Sequence, residues 1–117
     1  MAVIQDFECK YGNSVGVSAE TTERLNLVFP DAYLHADSIV AISKEIREHD
    51  GGLFCHMPFD HTLEADAMGA NINYGNEKIG PRAAEYMTET IEDLLELPEI
   101  NFESGRMAQN VEACRRL

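Results

Sequence analysis

Tryptophan is absent from this 117-residue chain, and cysteine (three), proline (four) and basic residues (nine Lys and Arg) are scarce. Nine cations against 21 carboxylates leave a formal charge of -12, which argues against unaided binding to nucleic acid or an anionic membrane, because like charge repels at long range. Cys9, Cys55 and Cys114 are odd in number and widely spaced, so they do not make a disulfide framework and fit reduced thiols in a cytoplasm. No run of about 20 apolar residues occurs, and no transmembrane helix is predicted. The first ten residues lack a basic stretch followed by an apolar core, so they do not read as a signal peptide. Phosphate-binding Gly loops, a G-x-S-x-G elbow, basic-aromatic nucleic-acid patterns and internal repeats are also missing. The chain is expected to be cytoplasmic, to bind no nucleic acid and to cross no membrane.

What is present follows strand-and-helix grammar. Ser14-Val15-Gly16-Val17-Ser18 predicts a short strand, and the apolar residues Leu25, Leu27, Val28 and Phe29 predict a short helix over 21–29, broken at Pro30. Over 31–49, Leu34, Ile39, Ile42 and Ile46 share a helical stripe opposite a charged face, and Asp50-Gly51-Gly52 supplies the stop. The apolar run 53–59 has the length of a strand buried on both faces of a parallel sheet. One or two helical turns are expected over 62–68, a short strand over 71–74, and an amphipathic segment over 82–97 that is helical in its second half. A last helix follows Gly105 through Met107, Val111, Cys114 and Leu117. Met57, Met68, Met87 and Met107 read as core filler.

Two stretches carry a family likeness: Phe29-Pro30-Asp31-Ala32-Tyr33 leading into a helix, and Met57-Pro58-Phe59-Asp60-His61-Thr62-Leu63-Glu64-Ala65-Asp66-Ala67-Met68-Gly69. With Gly105-Arg106-Met107 and Val111-Glu112-Ala113, they resemble the uroporphyrinogen decarboxylase superfamily, in its cobalamin-dependent methyltransferase branch (methylcobamide:coenzyme M methyltransferases). The resemblance implies an α/β fold, the first strands and helices of a (β/α) barrel. Such barrels need about 250 residues, so residues 1–117 are expected to form a single incomplete domain, trimmed at both ends. Unpaired strand edges then predict a homo-oligomer or a partner chain carrying the rest of the barrel, and the resemblance implies a corrinoid protein as a possible further partner.

Asp60 lies just past the expected strand, at the end where such barrels place their active sites. The resemblance puts it at the decarboxylase's active-site aspartate, while the plainer reading makes it a cap for the helix near Thr62. His61 and Glu64 complete the barrel-mouth candidates; Asp66, two residues from Glu64, does not share its helix face and reads as solvated. No His-x-Cys zinc pair occurs, and adjacent strand residues such as Cys55 and His56 point to opposite faces, so no metal site is assigned. The zinc and corrinoid implied for a complete family member would need residues beyond these. The implied activity is methyl transfer between a methylcobamide and a thiol, with this chain alone expected to be inactive. The alternatives are a non-catalytic oligomeric interaction module, a uroporphyrinogen decarboxylase-like lyase, disfavoured by the absence of that enzyme's arginine-rich R-Q-A-G-R-Y segment, and a small enzyme built on Cys55, His56 and Asp60.

Overall fold

The computed structural model describes residues 17–51, 53–58, 60–76 and 78–117. Among these residues four α-helices appear in chain order: α1 (Ala19–Arg24), α2 (Ala36–Asp50), α3 (Leu63–Ala67) and α4 (Gly105–Arg116). Two short strands, β1 (Ile72–Asn73) and β2 (Arg82–Ala83), pair antiparallel with Ile72 opposite Ala83. Single 3-10 turns cover Asp31–Tyr33 and Glu92–Glu96.

Helix α2 is the central beam, as its 3.6-residue stripe predicts. Ile42 and Ile46 turn one flank to Ala32 and Tyr33, with Leu25, Leu27 and Phe29 packed around them. Ala36, Ile39 and Val40 turn the other flank to Ala113 of α4 and to Met57. Ile39 and Ile42 are the largest fully buried apolar side chains among the described residues. Gly51 ends the helix in the left-handed conformation at φ 67°, its N–H donating to the Arg47 carbonyl. No capping side chain stands at His35; instead the Ala36 N–H donates to Gln109 Oε1 of α4 at 2.9 Å. One of the unpaired N–H groups at the start of α2 is thereby satisfied from the far end of the chain. Ion pairs tie the outer helices to the beam, Arg24 with Glu45 at 2.6 Å and Arg116 with Asp37 at 2.6 Å.

Several sequence expectations are corrected. The first helix ends at Arg24 and does not reach Phe29, because Asn26 takes a left-handed conformation at φ 53°. Its N–H donates to the Glu23 carbonyl at 3.0 Å and that of Leu27 to Thr22 at 2.8 Å, which closes the helix. Residues 53–58 form no strand: Leu53 and Phe54 are 61% and 68% exposed, and a parallel strand needs neighbours on both edges that no described segment provides. Of the strand expected over 14–18, Val17 and Ser18 are irregular and the rest lies outside the described residues. Over 82–97 the chain pairs as β2 and later makes only the 3-10 turn; Tyr86, Ile91 and Leu95 are 98%, 80% and 85% exposed. Short helices draw most of their stability from burial of an apolar face, and here that face meets nothing. Met87 is likewise exposed and is not core filler.

Truncating Ile42 to Ala leaves a cavity at a fully buried site and is expected to lower unfolding free energy by about 2 to 4 kcal/mol. The same truncation at the exposed Leu95 should change it by less than about 0.5 kcal/mol. Urea denaturation of the two variants checks the contrast.

Candidate functional site

Asp60, just before α3, is held at both carboxylate oxygens. Oδ1 accepts the Thr62 N–H at 2.9 Å and the Thr62 hydroxyl at 2.7 Å, while Oδ2 accepts from Arg106 Nη1. Arg106 comes from the first turn of α4, following Gly105, whose φ of 58° favours glycine. Its remaining nitrogens are also committed, Nε to Asp66 Oδ2 at 2.5 Å and Nη2 to Thr62 Oγ1 at 3.0 Å. The Arg106 side chain is 6% exposed and those of Asp60 and Asp66 are 8% and 20%. Tyr74 closes the cluster, its ring centroid 4.9 Å from the guanidinium carbon and its hydroxyl 3.5 Å from both Asp66 oxygens.

One cation thus serves two carboxylates in a nearly dry place. Burial works against the Arg106 charge, but the hydrogen bond to Asp66 and the charge of Asp60 outweigh it, and its pKa is raised. Burial also raises the Tyr74 phenol, helped by the charge of Asp66; burial and then Asp60 raise Tyr33.

Beside the cluster, Met57, Pro58, Leu63, Met107, Val111 and Cys114 line an open groove of about 630 Å³, with Asp60 at its edge. The three sequence candidates separate here. Asp60 turns inward to Thr62 and Arg106, whereas His61 and Glu64 are exposed on and beside α3. The cap reading of Asp60 is half right, since it accepts the Thr62 N–H and also carries the ion pair. Asp66 is not solvated but paired. No sequence spacing joins Arg106, Thr62 and Tyr74 to this cluster; the one signal in a chain with nine cations is an arginine on the apolar stripe of α4. Cys55 is half-buried, His56 and Cys114 are exposed, and among the described residues no three His, Cys, Asp or Glu side chains converge to hold a metal ion.

The profile of the uroporphyrinogen decarboxylase (URO-D) family matches residues 11–117. The chain belongs to the uroporphyrinogen decarboxylase family. Among curated URO-D relatives, it is similar to the methylcobamide:CoM methyltransferase MtbA of Methanosarcina acetivorans, 25% identical over 100 residues, covering 86% of this chain and 30% of that protein. The MtbA of Methanosarcina mazei is 24% identical with the same coverage. A solved methyltransferase from Methanosarcina mazei matches with a TM-score of 0.76 at 20% identity, over 88% of this chain and 31% of that one. This URO-D chain therefore has the α/β fold of a partial (β/α) barrel, and it spans about 30% of the length of the curated relatives it matches.

Replacing Arg106 by Ala strands two buried carboxylates and is expected to lower stability by about 3 kcal/mol. Lys should recover only part, because it lacks the planar fork that reaches Asp60, Thr62 and Asp66 together; thermal melts compare the variants. The raised tyrosines set an alkaline limit. Above the ordinary phenol value of 10.0 the unfolded chain releases those protons first, so stability holds below pH 10 and falls as pH rises beyond it. A Tyr33→Phe/Tyr74→Phe variant should show a flatter decline in urea midpoint between pH 9 and 11.

Proposed function

We propose that this chain supplies scaffold and one wall of the mouth of a methyltransferase barrel, which in complete form moves a methyl group between a methylcobamide and a thiol or related acceptor. The observation that carries this reading is the 25% identity with MtbA across 86% of the chain, since that relative is a methylcobamide:CoM methyltransferase. In this role His61 and Glu64 present polar groups to the mouth, and Asp60 holds its rim in shape through Thr62 and Arg106.

The exposed Glu64 carboxylate can accept a proton from an incoming thiol, and the exposed His61, three residues earlier in the chain, offers a second polar group. A methylcobamide, when bound, supplies the methyl group as the electrophile that the thiol sulfur attacks. Zinc is a different case: the described residues bring no set of thiolate, imidazole and carboxylate donors together, so no step is assigned to it here. The corrinoid would arrive on a partner protein, and further barrel strands would come from longer chain, a second copy or a separate subunit. In the described residues no helix is long and apolar enough to cross a membrane.

Coenzyme M-dependent loss of methylcobalamin, followed in the visible spectrum with the polypeptide that carries this chain, tests the reading. Demethylation is expected, and His61→Ala and Glu64→Gln should each slow it by about tenfold or more with unchanged melting temperature. Decarboxylation of uroporphyrinogen without demethylation would replace it with the lyase reading.

A further inference from the structure

We draw no further inference here: the strongest candidate, the open apolar groove between α3 and α4 lined by Met57, Leu63, Met107 and Val111, carries nothing because nothing in the structure shows what covers it in a chain that spans about 30% of its relatives' length.

Discussion

A charge taken out of water must be met, and in this chain the Arg106 guanidinium meets that requirement by drawing in Asp66 and Asp60, 40 and 46 residues earlier. Much of the geometry follows. Helix α3 has five residues, none of them buried, and a helix so short does not persist on its own. It is kept by what brackets it: Asp60 and Thr62 before its first turn, Asp66 within it, and the left-handed Gly69 after it. Since α4 carries the cation, the start of α4 is set against α3 at one register. Its Ala113 then falls against Ile39 and Val40, and the groove opens between the two helices.

Local features were legible in the sequence where the chain needs only itself. The stripe of Ile39, Ile42 and Ile46 marks α2 because burial at a 3.6-residue period is a property of one segment, and Gly51 marks its end for an equally local reason. Asn26 shows the limit. Leu25, Leu27, Val28 and Phe29 are apolar enough to prolong a helix, yet a left-handed Asn26, closed by its own backbone bond and that of Leu27, stops it earlier. Residues 53–58 and 82–97 fail as predicted elements for the opposite reason. Their apolar patterns describe what would be covered in a larger assembly of strands and helices, and the described chain contains nothing to cover them.

The site divides in the same way. The family likeness directed attention to Asp60, and the structure gives that carboxylate so many partners that it serves as a strut. Asp66 looked solvated because helix spacing separates it from Glu64, but its partner lies on another helix and no spacing rule reaches that far. Arg106 was hidden by the same distance. Helix periodicity places it near Met107 on the buried side of α4 without saying what answers its charge.

The hydrogen bond from Ala36 to Gln109 spans 73 positions. At about 5 to 20 residues per second of synthesis, the side chain that finishes the start of α2 is made roughly 4 to 15 s after the backbone it serves. For that interval water must hold the N–H, and the flank of Ile39 and Val40 waits for Ala113. The central helix is thus made well before its first turn is completed, which makes its uncovered flank a surface that a nascent-chain chaperone would meet.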